Sequence, residues 1–370
     1  MPFERLFSSD IENTAYKAVS ALQKGQIIVL PTETVYGLGV RASDEAAVQR
    51  LIQLKNRSEN HPFTLAFSGI ESINEFIPEI EPLAQRLIRR CLPVSLVLDI
   101  PSCESDFYLL PTTVQHAVSQ TVAQKKTVCF RVPNHPLTLR VLTQFGEPII
   151  LTSANRTGQG EKSTVDEIIM ELGDGIDLAV DAGHSETIAS TVLRVTDGGY
   201  SILREGVLKR KTLERLTARM ILFVCTGNTC RSPMAERICE HLIAQRFHCS
   251  LNRLEEHGVV VLSAGVAVGS SAPANPNAIE VLRQKGLDLT DHRSQQLNET
   301  HIQFADHIFA MTRNHRETIL SLWPSADMRL NVLRGDGGDI ADPFGGSEGV
   351  YAACARQLES EINKRLDEIL

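Results

Sequence analysis

Cys225 and Arg231 are the two residues of this chain whose types and spacing most clearly promise chemistry. They bracket the run Val224-Cys225-Thr226-Gly227-Asn228-Thr229-Cys230-Arg231-Ser232-Pro233, a Cys-x₅-Arg loop. Such a loop aims several backbone N–H groups at one point and forms an anion nest at a helix N-terminus. Arg231 adds a guanidinium that can clamp a phosphate with two parallel hydrogen bonds. A thiol in that positive field falls below its usual pKa of ~8.5, so Cys225 is expected to be a thiolate at neutral pH. A thiolate so placed can attack phosphorus while the leaving group departs from the opposite side.

The elements that must position the loop are legible beside it. Met220–Val224 is an apolar run that reads as a buried strand. Ser232-Pro233 reads as an N-cap followed by proline at the first helical position. A leaving group needs a proton, and Asp342 in Ala341-Asp342-Pro343-Phe344-Gly345-Gly346 is the candidate general acid, on a loop marked by proline and glycine. Around these, a helix is predicted at 233–246, a strand at 259–263, a helix near 277–285, a strand near 307–311 and a last helix near 350–370.

The first half offers cations and hydroxyls, and its residues alone say less. Gln26–Leu30 reads as a strand that ends at Pro31, followed by a loop, Pro31-Thr32-Glu33-Thr34-Val35-Tyr36-Gly37-Leu38-Gly39. A helix is predicted over 46–54, with Lys55 and Arg57 at its C-terminal end. Further strands are predicted at 96–98, 127–132, 148–151 and 191–195. Thr152-Ser153-Ala154-Asn155 follows one of them and Arg131 ends another. Cations and hydroxyls around a sheet suit a polyanion such as ATP. The same residues also admit plainer roles: Lys55 and Arg57 can complement a helix dipole, Ser153 and Asn155 can form a cap, and 32–39 can be an ordinary loop.

Bulk properties bound the remaining choices. The 370 residues suffice for about two domains, each with its own core. A composition of 42% hydrophobic and 22% charged residues is that of a soluble globular chain. The net charge of −8 is shared by both halves, so nucleic-acid contact would need a local basic patch. No signal-like run opens the sequence and no stretch reaches membrane-span length, so no membrane role is expected. The eight cysteines show no paired spacing, which fits a reducing cytoplasm.

From about Ile221 to Leu370 the chain closely resembles the low-molecular-weight protein-tyrosine phosphatase family. The matching pieces are 225–236, Ser263-Ala264-Gly265, Asp291-His292-Arg293-Ser294 and Asp342-Pro343. The resemblance implies a flavodoxin-like four-stranded parallel sheet, with Cys225 as nucleophile, Arg231 as transition-state clamp and Asp342 as general acid. It implies that Ser232 stabilises the thiolate as a leaving group and that Asn228 and Ser263 shape the loop formed by Thr226, Gly227, Asn228, Thr229 and Cys230. Ser263 could equally be a strand-end hydroxyl. Cys230 could pair reversibly with Cys225 or be a plain buried thiol. Tyrosine-specific members mostly carry isoleucine at the position of Thr229 and aromatic residues after Asp-Pro; Thr229 with Phe344-Gly345-Gly346 is similar to the protein-arginine-phosphatase branch. An arsenate-reducing branch needs relay cysteines that are missing between Cys249 and Cys354. The phosphatase is expected to need no cofactor.

From about Ile11 to Leu208 the chain resembles the YrdC-like threonylcarbamoyl-adenylate synthases. The resemblance rests on Pro31-Thr-Glu-Thr-Val-Tyr-Gly-Leu38, Lys55-x-Arg57, Arg131-Val-Pro133, Ser153-x-Asn155, Ser190-Thr191-Val192 and Arg204-Glu-Gly206. It implies a twisted mixed α/β sheet that condenses L-threonine, bicarbonate and ATP, with Mg²⁺ on the phosphates, into threonylcarbamoyl-AMP for tRNA modification. By position, Thr32, Arg131, Ser153 and Ser190 would contact threonine. Lys55, Arg57, Thr127, Asn155, Ser163 and Arg204 would contact ATP, around a centre expected to be free of carboxylates. The family's Trp-Pro-Gly-Pro is Arg90-Cys91-Leu92-Pro93 here, and Ser58 replaces the proline after Lys-x-Arg. The α/β chain is thus expected to hold a synthase domain at 1–208, a linker at 209–219 and a phosphatase domain at 220–370, acting on a phosphorylated protein. The alternative reading makes the first half a non-catalytic nucleotide- or RNA-binding module. A carbamoyl transferase of the hydrogenase-maturation type would add zinc-binding cysteine pairs, which the sequence lacks.

Overall fold

The computed structural model describes residues 3–57, 62–77, 80–90, 94–99, 115, 117, 119–122, 125–186, 188–196 and 199–370. Ser58 and 91–93 lie outside the described residues. The chain divides into two compact units, Met1–Leu213 and Glu214–Leu370. The stretch read as a linker, 209–219, contains the helix Arg210–Thr217, and the division falls inside that helix.

The first unit is one mixed sheet of strands β1 (Glu4–Phe7), β2 (Ile28–Leu30), β3 (Gly37–Arg41), β4 (Thr64–Ala66), β5 (Val94–Asp99), β6 (Ser119–Val122), β7 (Lys125–Arg131), β8 (Ile149–Ser153), β9 (Leu178–Asp181), β10 (Thr191–Thr196) and β11 (Gly199–Arg204). The spatial order is β1-β9-β2-β3-β8-β4-β7-β5-β10-β11, with β6 also on β7. The helices Ile11–Gln23 and Pro136–Phe145 cover the sheet. Ala15, Ala18 and Leu22 of the first meet Leu137, Val141 and Leu142 of the second over Ile28, Leu30 and Ile149. One expectation is corrected here. The loop read over 31–39 ends early, because Gly37, Leu38 and Gly39 already belong to β3, which pairs with β2 on one side and β8 on the other. Gly37 is required by that closeness: a Cβ there would lie 2.7 Å from Leu151 Cδ1.

The second unit carries β12 (Arg219–Cys225), β13 (Val259–Gly265), β14 (His307–Ala310) and β15 (Leu330–Val332). They form a four-stranded sheet in the order β13-β12-β14-β15, parallel throughout. The central strand β12 is buried on both faces from Ile221 to Cys225, which is why 221–225 reads as an unbroken apolar run. The helices Arg231–Arg246, Pro276–Gln284 and Glu348–Ile369 cover one face around Ile238, Leu282, Leu358 and Ile362. The last of these presents Tyr351, Cys354, Ala355, Leu358, Ile362, Leu366 and Ile369 at helical spacing, as a core-facing stripe must. Ile302 and Ile319, from the helices Glu299–Phe304 and Arg313–Leu322, pack over the other face. Among the described residues no helix is long and apolar enough to cross a membrane.

Candidate functional sites

The Cys-x₅-Arg loop joins the end of β12, at the middle of the parallel sheet, to the helix Arg231–Arg246. This is where an open parallel sheet exposes ligand-binding loops. The helix begins at Arg231 with Cys230 at the cap position. Ser232 is therefore not the N-cap expected from Ser-Pro but lies within the first turn. Its hydroxyl is drawn inward instead, to 2.9 Å from Cys225 Sγ.

Asn228 shapes the loop. Its backbone sits in the left-handed region (φ 52), where asparagine is tolerated better than most residues. Its buried amide donates to Ser232 Oγ at 2.9 Å and to Ser263 Oγ at 2.8 Å, and its Oδ1 accepts from Gln295 N at 2.9 Å. His292 Nε2 donates to the Asn228 carbonyl at 2.8 Å. Ser263 in turn donates to Glu236 at 2.5 Å, and burial raises that carboxyl to a pKa of about 7. Gly265 clears the loop's path: a Cβ there would meet the Thr226 carbonyl and come within 3.0 Å of Asn228 N. Ser263 and Gly265 thus act on the loop through contact, and Ser263 is more than a strand-end hydroxyl.

Arg231 is buried, donates to the Ile340 carbonyl at 3.2 Å and pairs with half-exposed Asp342 at 2.6 Å. The structure therefore brings Cys225, Ser232, Arg231 and Asp342 to one loop mouth. Cys230 Sγ lies 3.3 Å from the hydroxyl of buried Tyr351, and Phe344 stands exposed on the Asp342 loop.

In the first unit a cavity of about 330 Å³ opens over β7, β8, β10 and β11. Thr127, Cys129 and Arg131 alternate along β7 and so share one face. They line the cavity with Arg57, Ser153, Ser190 and Arg204. Six of the ten residues expected to hold substrates thus meet there. Of the other four, Thr32, Lys55 and Asn155 stand behind the wall. The Thr32 hydroxyl donates to the Val35 carbonyl at 2.6 Å and lies 3.1 Å from that of Thr34, which reaches Ser190 at 3.5 Å. Lys55 is buried and donates to the carbonyls of Ser153 and Asn155, both at 2.5 Å. Burial, helped by the Arg57 charge, brings its ammonium down to about 7. Ser153 donates to Asn155 Oδ1 at 2.6 Å. The tenth, Ser163, donates to Glu167 at 3.0 Å and is absent from the cavity wall.

Two motif pieces distant in sequence lock together at the cavity rim. Arg204 donates to the Ser190 carbonyl at 3.0 Å, and Gly206 N and Leu208 N both donate to Thr191 Oγ1 at 3.0 Å. A Cβ on Gly206 would lie 2.6 Å from the Ser190 carbonyl carbon, so the glycine permits the crossing. The centre is not free of carboxylates as expected. Glu161 lines the cavity, and Glu33 pairs with Arg131 while accepting from Asn134 N at 2.6 Å.

The family model described as "Telomere recombination" (Sua5, YciO and YrdC) matches residues 20–206. The model described as "Low molecular weight phosphotyrosine protein phosphatase" matches residues 220–370. The chain belongs to both families. The protein-arginine-phosphatase of Geobacillus stearothermophilus is 40% identical over 153 residues, 40% of this chain and 95% of that protein. The threonylcarbamoyl-AMP synthase of Pyrococcus abyssi is 28% identical over 200 residues, 54% of this chain; the chain spans 56% of that synthase's length. A solved structure of a mutant Sua5 from P. abyssi shares the fold at 21% identity, with a TM-score of 0.50, covering 72% of this chain and 92% of that one.

Both are families of enzymes, and each unit holds polar residues that reading the sequence passed over. In the Sua5/YrdC unit these are Glu33, Thr34 and Glu161; Glu33 and Thr34 lay in plain view inside the Pro31-Thr-Glu-Thr signature. In the phosphatase-family unit they are Gln295, His315 and Tyr351. Nothing local marks them, because each reaches the loop from an element more than 60 residues away.

Proposed function

We propose that the second unit is a protein phosphatase working through a cysteinyl-phosphate and favouring phosphoarginine. The carrying observation is the Cys225 Sγ to Ser232 Oγ contact of 2.9 Å beneath a loop whose arginine is already paired with Asp342. An arriving phosphate competes with Asp342 for Arg231 and takes the guanidinium fork, which frees the half-exposed carboxylate to take up a proton from solvent and turn toward the leaving group. Cys225 Sγ then forms the S–P bond as the P–N or P–O bond breaks, and Asp342 gives its proton to the departing nitrogen or oxygen. Water attacks next, losing its proton to Asp342, and Ser232 donates to Sγ as the S–P bond opens. Thr229 and Phe344-Gly345-Gly346, together with the arginine-phosphatase relative, support the phosphoarginine preference. The test is turnover of phosphoarginine and phosphotyrosine peptides side by side, with Cys225→Ser as the inactive control. A wide preference for phosphotyrosine refutes the branch, and full activity in Cys225→Ser refutes the mechanism.

We infer that the first unit makes threonylcarbamoyl-AMP for tRNA modification. Arg57, Thr127, Arg131, Ser153, Ser190 and Arg204 around one cavity support this. The threonine amine joins bicarbonate with loss of water, and the resulting carboxylate attacks the α-phosphorus of ATP, expelling pyrophosphate. Among the described residues no cluster of three or more His, Cys, Asp or Glu forms a metal cage. Mg²⁺ would accompany the triphosphate, with Glu161 the carboxylate of the cavity wall. Pyrophosphate release that requires both threonine and bicarbonate tests the reading; ATP binding without release would leave a nucleotide-binding module in its place.

A further inference from the structure

We propose that Thr226 is a further substrate-contacting residue of the phosphatase site, and that His315, held by Thr312, is the positioning residue that turns the Thr226 hydroxyl proton toward the bound phosphoryl group. The inference rests on the phosphatase reading above and extends it to residues beyond the Cys-x₅-Arg signature roles.

The sheet delivers these residues to one another. β14 is the parallel neighbour of β12, with Ala310 opposite Val224, and Met311 N donates to the Val224 carbonyl at 2.9 Å. The segment after β14 therefore begins beside the segment after β12. It opens the helix Arg313–Leu322 with Thr312 as its N-cap. His315, in the first turn, is 4% exposed. Its ring lies between two hydroxyls, with Nε2 2.8 Å from Thr226 Oγ1 and Nδ1 2.8 Å from Thr312 Oγ1.

Thr312 Oγ1 already accepts from the backbone N–H of His315 at 3.2 Å. With its own proton given to Nδ1, the tautomer assigned here, the single ring proton of a neutral imidazole sits on Nε2 and is donated to Thr226 Oγ1. With the ring supplying that proton, the Thr226 O–H cannot point back at the histidine. Thr226 is exposed and directly follows Cys225 in the loop, so its proton is left free for an oxygen of a bound phosphoryl group. The relay keeps one polarity in neutral solution. Burial, and next the Arg231 cation, push the imidazole down to about 4; Asp342 and Asp339 oppose the shift without cancelling it.

The experiment uses the full chain and two readouts: kcat/KM on a phosphorylated peptide, and the inhibition constant of inorganic phosphate. Thr226→Val should weaken phosphate and lower kcat/KM by about 10-fold, the loss of one hydrogen bond to a charged acceptor at the weak end of its range. His315→Ala should give the same loss, and the double variant should add little to either, because both remove one interaction. His315→Gln keeps an N–H donor for Thr226 and should recover part of the loss, which a merely space-filling role would not grant. Trp323 fluorescence reports whether each variant is folded. Unchanged phosphate inhibition in Thr226→Val, or additive losses in the double variant, overturns the inference. Failure of the wild-type chain to turn over any phosphopeptide refutes the phosphatase reading itself, and phosphate binding measured by calorimetry still decides the role of Thr226.

Discussion

Replacing Asn228 by alanine tests the logic of the phosphate loop in one change. The amide makes three hydrogen bonds, two buried ones to Ser232 and Ser263 and a partly buried one from Gln295 N. At ~1 kcal/mol each their loss removes about 3 kcal/mol. Alanine at φ 52 adds ~1 kcal/mol of left-handed strain. Ser232 retains a 3.4 Å contact to the Ala264 carbonyl and Ser263 retains Glu236, so part of the loss is recovered. The expected destabilisation of the second unit is therefore about 3–4 kcal/mol. Trp323 is the only tryptophan of the sequence and lies in that unit, so urea unfolding followed by its fluorescence reads this unit alone. Asn228→Gly loses the same hydrogen bonds without the strain and should recover about 1 kcal/mol relative to alanine. A shift below about 1 kcal/mol in Asn228→Ala, or glycine no better than alanine, would refute the reasoning.

Other expectations follow from individual contacts. Glu236 has its folded pKa raised to about 7 by burial, so between the ordinary carboxylate range and pH 7 the folded state binds more protons than the unfolded one. Stability of the second unit should therefore fall as pH rises through this window, by at most ~1.4 kcal/mol per pH unit for one proton, and Glu236→Gln should flatten the urea-midpoint profile. Glu33→Gln removes the charge that holds Arg131, and should raise the KM for threonine at least about 10-fold while leaving that for ATP nearly unchanged, since one lost charge-assisted bond is worth roughly that. Thr229→Ile should shift the ratio of kcat/KM toward phosphotyrosine peptides over phosphoarginine peptides; an unaltered ratio would separate Thr229 from substrate choice.

What the sequence revealed and what it hid divide by distance along the chain. The strand Arg219–Cys225, the loop and its helix are contiguous, so apolar run, glycine and Ser-Pro were enough to place them. The same local rules misplaced the cap by two residues, because the tertiary pull of Cys225 on Ser232 outweighed its ordinary capping preference. The contacts that make the sites specific are long-range: Arg231 meets Asp342 across 111 positions, Lys55 meets Ser153 across 98, and Thr226 meets His315 across 89. No periodicity predicts these meetings, because they are created by strand order. β12 lies between β13 and β14, so the ends of all three face one loop; β7 and β8 flank β4, so Arg131 and Ser153 share one cavity. Residue types marked which groups could act, and topology decided which of them do so together. This is why, of the two cations read together as ATP contacts, Lys55 stitches a helix end to the Ser153–Asn155 turn, while Arg57, two residues on, reaches the cavity itself.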